Sequence, residues 1–128
     1  MKNTKKMKRI PDAEFEVMKA VWAIKPPMSA KQIMEQLSAE KKWVEQAVIM
    51  LLTRLTERGF IHTEKIGRNR VYYSLVERED YLQFETDNFI KQYHESSFIN
   101  LVNTLYKDKT VTDKDIDELF EWFKERKE

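Results

Sequence analysis

The stretch from Trp43 to Phe60 has the hydrophobic spacing of an amphipathic helix. Four apolar residues fall at i, i+3, i+4 and i+7 and predict a buried stripe: Val48, Leu51, Leu52 and Leu55. The opposite side mixes hydrogen-bonding groups with large apolar ones: Glu45, Gln46, Ile49, Met50 and Thr53. The pattern therefore predicts one helix face for a core and another for a partner.

Two shorter helices are predicted before this one. Asp12 is expected to cap the first helix, and Pro26-Pro27 ends it. Ser29 followed by Gln32 is a capping-box pattern, which opens a second helix that is expected to run to about Glu40.

The period changes after Gly59, a residue that suits the left-handed position following a helix. Two β-prone runs, Ile61 to Ile66 and Arg70 to Leu75, flank Gly67-Arg68-Asn69 and predict a hairpin with a basic tip. Three helices followed by a two-stranded ribbon are the layout of a winged helix-turn-helix, whose third helix can enter the major groove of DNA.

Helical spacing returns beyond Val76, where Ser97 and the pair Thr112 and Asp115 are predicted helix caps. The predicted fold is therefore mainly α with a small β-hairpin. A winged helix-turn-helix domain over residues 1–76 is followed by a three-helix dimerisation domain over residues 77–128.

Residues 77–128 are few and apolar on one side, which makes them a poor separate monomer. We therefore expect a homodimer. The predicted dimer interface is aromatic and aliphatic: Phe84, Phe89, Tyr93, Phe98, Leu101, Val102, Leu105, Leu119, Phe120 and Phe123. The alternative is that this half folds back on the winged helix of its own chain.

The net charge of +1 hides an asymmetry between the two halves. Residues 1–75 hold 15 Lys and Arg against 8 Asp and Glu, a balance of +7, whereas residues 76–128 hold 8 against 14, a balance of −6. The basic half, which begins with a lysine-rich arm, suggests a polyanion as partner, although the arm alone is equally typical of a solvated terminus. No stretch approaches the roughly 18 apolar residues of a membrane span, so we expect a cytoplasmic protein without direct membrane insertion.

The sequence offers no constellation for catalysis or for a cofactor. Absence of cysteine excludes disulfides, thiolate metal sites and cysteine nucleophiles. His62 and His94 lie in different halves without ligands at metal spacing, and are expected to be ordinary surface or interface residues. With only two glycines, a phosphate-cradling loop of the known types is not possible. We expect a protein that is not an enzyme and that needs no metal.

Double-stranded DNA is the predicted partner of the winged helix. Residues of the third helix would face the groove: Glu45, Gln46, Ile49, Met50, Thr53 and Arg54. Cations of the preceding loop and of the hairpin would meet phosphates: Lys41, Lys42, Lys65, Arg68 and Arg70. Gln46 suits an adenine edge, and Ile49 or Met50 suits a thymine methyl. Glu45 suits a cytosine amino group.

Two alternatives remain for this helix face. In the first, the face contacts another part of the same protein, and its apolar residues are then partly buried. The other is a winged-helix module that binds a protein partner, with Ile49, Met50 and the acidic half as the surface, and that lacks sequence-specific DNA binding.

Several segments, in order and at matching spacing, resemble the BlaI/MecI penicillinase repressors and their copper-responsive CopY relatives. The matching segments cover nearly the whole chain: Ile10 to Met18 with Trp22, Thr53 to Leu55, Arg58 to Phe60, Val71 to Glu77, Asn88 to Ile90, and Phe98 to Val102. The resemblance implies a homodimeric repressor that binds two-fold operators of an operon. In the antibiotic-responsive members it also implies a partner, a sensor-linked protease that cleaves the dimerisation domain.

This chain departs from the family pattern at several places. Trp43 is followed by Val44-Glu45-Gln46-Ala47 where members commonly have Ser-Pro-Lys-Thr, so the usual helix cap is absent. Thr104-Leu105 stands near the position where cleaved members have Asn-Phe, so the resemblance does not carry over the cleavage. The cysteine cluster of the copper-responsive members is also absent.

Overall fold

The computed structural model describes residues 7–37 and 39–127. Six helices and one antiparallel hairpin follow one another along these residues: α1 Asp12–Trp22, α2 Ala30–Gln36, α3 Glu45–Glu57, β1 Ile61–Ile66, β2 Asn69–Ser74, α4 Arg78–His94, α5 Phe98–Lys107 and α6 Asp113–Arg126. The predicted class, mainly α with a winged helix-turn-helix, is confirmed. Lys2, Lys5 and Lys6 of the predicted basic arm lie outside the described residues.

Helix α1 begins differently from the prediction. Pro11 occupies the N-cap position, and no side chain caps the helix. Asp12 was expected to be the cap, which is wrong: it is the first helical residue, one position too late for its carboxylate to serve the N-cap role. Its charge still lies in the first turn, where it complements the helix dipole.

Helix α2 begins as predicted and ends early. The backbone N–H of Gln32 donates to Ser29 Oγ at 3.1 Å, and Gln32 Oε1 accepts from the N–H of Ser29 at 2.8 Å, which completes the capping box. The helix ends at Gln36 rather than near Glu40, because Leu37 is already extended with ψ 154°. The connection to α3 is therefore longer than the sequence suggested.

The core of the winged helix is built on the predicted stripe of α3. Val48, Leu52 and Leu55 are fully buried, and Leu51 is 7% exposed. They lie in one apolar cluster with residues of α1, α2 and the hairpin: Val17, Met18, Val21, Ile33, Ile61 and Tyr72. This packing places the opposite face of α3 towards solvent.

The hairpin follows α3 at once because Gly59 adopts the left-handed conformation, with φ 84°. Strands β1 and β2 pair from Ile61 opposite Ser74 to Ile66 opposite Asn69, which leaves Gly67 and Arg68 as a two-residue turn. Gly67 has φ 63°, a backbone conformation that residues other than glycine rarely adopt. A further pair, Met28 opposite Tyr72, joins the hairpin to the segment before α2.

Contacts divide the chain into two compact units, the first ending at Phe84 and the second beginning at Glu85. The first unit extends past the predicted boundary at residue 76 because Tyr81 is fully buried in it. The Tyr81 hydroxyl accepts from the N–H of Ile10 at 2.9 Å, and its ring lies 5.5 Å from that of Phe60. Helix α4 thus begins within the core of the winged helix, and Phe84 packs against the same core.

The second unit contains the rest of α4 with α5 and α6. Ser97 caps α5, and Thr112 with Asp115 forms the predicted capping box of α6. No apolar side chain of this unit is buried among residues 85–127. His94 is buried instead, with Nδ1 hydrogen-bonded to Asn100 Oδ1 and its ring near Phe89. Of the two positions expected for His94, surface or interface, the surface position is wrong, because its side chain is buried within the chain and hydrogen-bonded to Asn100.

Candidate nucleic-acid interface

Helix α3 presents to solvent the face that the sequence assigned to a partner. Six predicted contact residues are all exposed: Glu45, Gln46, Ile49, Met50, Thr53 and Arg54. Ile49 and Met50 keep 40% and 48% of their surface accessible. Within the first unit, the interpretation of this face as a flank buried against the rest of the protein is therefore not supported.

The start of α3 leaves its backbone donors free of side-chain caps. Val44 is the N-cap residue, no side chain accepts a hydrogen bond there, and Glu45 lies in the first turn. This agrees with the absence of the usual serine after Trp43. The Trp43 ring packs against the core and anchors the loop, and its Nε1 has no hydrogen-bond partner among the described residues.

An ion pair at the other end of α3 ties it to α1. Arg58 donates from Nε to Glu14 Oε1 at 2.6 Å and from Nη2 to Glu14 Oε2 at 3.3 Å. Glu14 is 1% exposed, whereas the Arg58 side chain is 40% exposed. Such a two-pronged pair fixes both distance and direction, so it holds the end of α3 against the start of α1.

Sequence reasoning missed this pair. Glu14 lies in the first turn of α1, and Arg58 is the C-cap residue of α3. Nothing in the sequence connects two residues 44 positions apart. The pairing of Met28 with Tyr72 was missed for the same reason.

The wing carries its cations in exposed positions. Lys65 lies directly opposite Arg70 in the antiparallel register, and Arg68 occupies the turn. Like charges placed opposite each other repel, and a phosphate between them would relieve that repulsion. Arg70 Nη1 donates to Thr63 Oγ1 at 3.4 Å, which holds its side chain along the strand.

Tyr72 connects this wing to the core. Its side chain is 5% exposed, and burial raises the pKa of its phenol, an effect that the nearby Arg70 cation partly opposes. The phenol is therefore neutral at physiological pH and adds no negative charge beside Arg70.

The loop before α3 adds Lys41 and Lys42, both exposed. Within the described residues, none of the six predicted cations forms an ion pair: Lys41, Lys42, Arg54, Lys65, Arg68 and Arg70. The first unit thus brings together a solvent-facing helix and uncompensated positive charges on the loop and wing beside it.

The predicted dimer residues lie on the second unit, with one exception. Phe84 is half-buried against the core of the first unit. The other nine are exposed or half-buried: Phe89, Tyr93, Phe98, Leu101, Val102, Leu105, Leu119, Phe120 and Phe123. An open apolar groove is lined by Phe98, Asp115, Glu118, Leu119, Trp122 and Phe123.

The described residues lack two other classes of feature. None of the described helices is long and apolar enough to cross a membrane. Among the same residues, no group of three or more histidine, aspartate or glutamate side chains is arranged to hold a metal ion.

Comparison with known proteins gives a family and several relatives. A family model described as penicillinase repressor matches residues 10–125. The methicillin resistance regulatory protein MecI of Staphylococcus aureus (strain N315) is 34% identical over 110 residues, which are 86% of this chain and 89% of MecI. The penicillinase repressor of Bacillus licheniformis is 26% identical over 123 residues, 96% of this chain and 95% of that protein.

Two solved structures are also similar, each with a TM-score of 0.48. The solution structure of the DNA-binding domain of the repressor BlaI is 32% identical and covers 59% of this chain and 94% of that one. The monomeric form of Bacillus licheniformis BlaI in complex with the blaP half-operator is 31% identical and covers 63% and 94% respectively.

Proposed function

The chain belongs to the penicillinase repressor family, and from that premise we propose that it is a DNA-binding transcriptional repressor, not an enzyme, that acts as a homodimer on a two-fold operator. One observation carries the DNA-binding part of the proposal. The outer face of α3 and the cations of the wing are exposed together in one compact unit. That is the arrangement in which a recognition helix reads a groove while its neighbours hold the backbone.

The two parts of this surface have different tasks. Gln46 and its neighbours on α3 supply the base contacts, which decide the sequence that is bound. Arg68 and the other cations neutralise phosphates, which supplies affinity for any sequence and makes that affinity fall with salt. Repression then follows from occupancy, because a protein bound over an operator excludes other proteins from it.

The homodimer is proposed from the second unit. In a single chain, the second unit leaves large apolar side chains in water. Tyr93 is 64% exposed and Phe120 is 62% exposed. Many large apolar side chains exposed on one unit are typical of an interface. A second copy covering it would also present two recognition helices, which a two-fold operator requires.

Inactivation by a sensor-linked protease stays a prediction. Asn103 and Thr104 lie in the middle of α5, and Thr104 Oγ1 donates to the carbonyl oxygen of Asn100. A protease that cleaved here would need the helix to unwind locally.

A fluorescence anisotropy titration of the full chain tests the proposal. The probes are the DNA upstream of its own gene and a random duplex of equal length, each at several salt concentrations. We expect tighter binding to the upstream DNA. Arg68→Ala should weaken binding to both duplexes alike and reduce the salt slope by about one, while Leu75→Ala, an exposed residue outside the interface, should change neither. Equal affinity for both duplexes would sink the proposal, and binding indifferent to salt would favour a protein-interaction module.

A further inference from the structure

The outer face of α3 is unusually apolar for a surface flanked by cations. Among residues 7–37 and 39–84, five large hydrophobic side chains are exposed: Val44, Ile49, Met50, Ile66 and Leu75. Three of these five belong to α3 and its N-cap. Val44 is 63% exposed, Met50 48% and Ile49 40%. Solvation alone does not account for this concentration, because a helix flank in water favours polar residues.

The outer face of α3 offers fewer hydrogen-bonding groups to a partner than its residue types suggest. Thr53 Oγ1 donates to the carbonyl oxygen of Ile49 at 3.0 Å. Its hydroxyl proton is therefore engaged within the helix and is not offered to a base edge. Ile49 and Thr53 lie one turn apart on the same side, so the middle of the face is apolar and Gln46 supplies the hydrogen-bonding amide nearest the helix start.

We propose that Ile49 and Met50 read the 5-methyl groups of thymines in the major groove, so that the half-site is specified in part by apolar contacts. This rests on the proposed DNA-binding function and gives it a base class. The thymine methyl is the apolar group that the standard base pairs present in the major groove, and side chains without donors or acceptors discriminate by touching it.

The surroundings favour DNA over an apolar protein partner as the occupant. Lys41 and Lys42 lie before the helix, Arg54 lies on its flank, and Lys65 and Arg70 lie on the wing, all exposed. Such a rim repels a cationic partner and attracts a polyanion. An apolar patch within a cationic rim complements a groove whose walls are phosphates and whose floor carries methyl groups.

Helix geometry sets the size of the contact. Residues 49 and 53 are separated by about 6 Å along the axis, at roughly 1.5 Å per residue. This is close to two base-pair steps at about 3.4 Å each. The apolar part of the face is therefore about as long as two base-pair steps.

Replacement of thymine by deoxyuridine tests this directly, because it removes the methyl group and leaves hydrogen bonding and charge unchanged. The probe is a duplex selected by the purified full chain from a random library, with each thymine of one half-site replaced in turn. Affinities are measured by fluorescence anisotropy at fixed salt. We expect one replacement, or about two at neighbouring positions, to weaken binding. Each should weaken it about fourfold, which is the effect of losing one buried methyl group.

The side chains are assigned by repeating the measurement with variants. At the sensitive position, Ile49→Ala or Met50→Ala should bind the thymine and deoxyuridine duplexes equally. Leu75→Ala, which removes an equally exposed apolar side chain elsewhere in the unit, should keep the wild-type difference between the two duplexes. Circular dichroism confirms that the variants fold.

Three results would overturn the inference while leaving the proposed function standing. The first is that every deoxyuridine duplex binds within twofold of its parent. The second is that the selected half-site contains no thymine. The third is that the difference between the thymine and deoxyuridine duplexes persists in both α3 variants. Failure of the library to yield any preferred sequence would instead overturn the proposed function itself.

Discussion

Glu14 is a carboxylate that is almost completely buried, and its ion pair with Arg58 offsets the cost of that burial. Both carboxylate oxygens accept hydrogen bonds from Arg58, while that arginine remains partly in solvent. The two residues are therefore not equivalent. Removal of Arg58 leaves the carboxylate of Glu14 buried without a partner. Removal of the carboxylate charge leaves Arg58, which water can still solvate.

Arg58→Ala should lower the free energy of unfolding by about 2–3 kcal/mol, near the lower end for a broken buried pair because the arginine is partly exposed. Glu14→Gln should cost less, since the buried group is then neutral. Urea denaturation followed by circular dichroism measures both. Lys19→Ala, which breaks the solvent-exposed pair with Glu16, is the control and should cost less than about 1 kcal/mol. An equal, small cost for Arg58→Ala and Lys19→Ala would contradict the structural role of the buried pair.

Single residues were predicted well where the cause is local. Gly59 was identified from the end of a hydrophobic period, and its positive φ is a property of that one position. Tyr81 was assigned to the second domain because it lies beyond the predicted boundary at residue 76. Its burial beneath Phe15, Trp22 and Phe60 depends on packing between distant segments, which spacing along the chain does not report.

At the scale of elements, the capping patterns were the most informative part of the sequence. Ser29 with Gln32, Ser97, and Thr112 with Asp115 each begin a helix where predicted, because a cap and its helix are separated by only a few residues. Helix α2 ends earlier than its apolar pattern, which continues to Leu37. Leu37 packs against the core from an extended backbone. The apolar pattern therefore predicted that Leu37 packs against the core, but not where the helix ends.

The capping box of α6 makes this helix sensitive to acid. The Asp115 carboxylate accepts from the N–H of Thr112 at 2.9 Å, and the hydrogen bonds from Thr112 hold the pKa of Asp115 below its ordinary value. Because the folded pKa is the lower one, this stabilisation is present above the ordinary value of about 3.9 and is lost as the pH falls through the folded pKa.

Helix content measured by circular dichroism should therefore fall as the pH drops below about 4. Asp115→Asn keeps an oxygen acceptor but cannot titrate, so it should lose less helix over that range. Asp117→Asn, on the same helix but outside the capping box, provides the comparison. If Asp115→Asn and Asp117→Asn follow the wild-type curve alike, the capping box does not control the acid response.

At the scale of the whole molecule, charge and apolar surface are distributed unequally. Residues 1–75 are basic and hold most of the buried hydrophobic side chains, whereas residues 76–128 are acidic, and no apolar side chain among residues 85–127 is buried. That the chain divides into two units was predictable from these totals. The position of the division was not, because α4 is one continuous helix whose first turns belong to the core of the winged helix.

The identity of the operator depends on side chains at the scale of single bases. The face of α3 that the sequence assigned to DNA is exposed in the structure, and on the proposed function Glu45, Gln46, Ile49 and Met50 are the residues that select the bases. A carboxylate at the start of this helix repels phosphate, so Glu45 needs a base donor or water beside it.

The central claim is that two chains, paired through their second units, place two recognition helices on a two-fold operator. It is tested most directly by the spacing of the half-sites. Two duplexes carry the same pair of selected half-sites, one with centres about 10 base pairs apart and one with about five base pairs inserted, half a helical turn. Binding of the full chain to each is measured by fluorescence anisotropy. The account predicts about tenfold weaker binding or more to the shifted duplex, and equal affinity for both duplexes would contradict it.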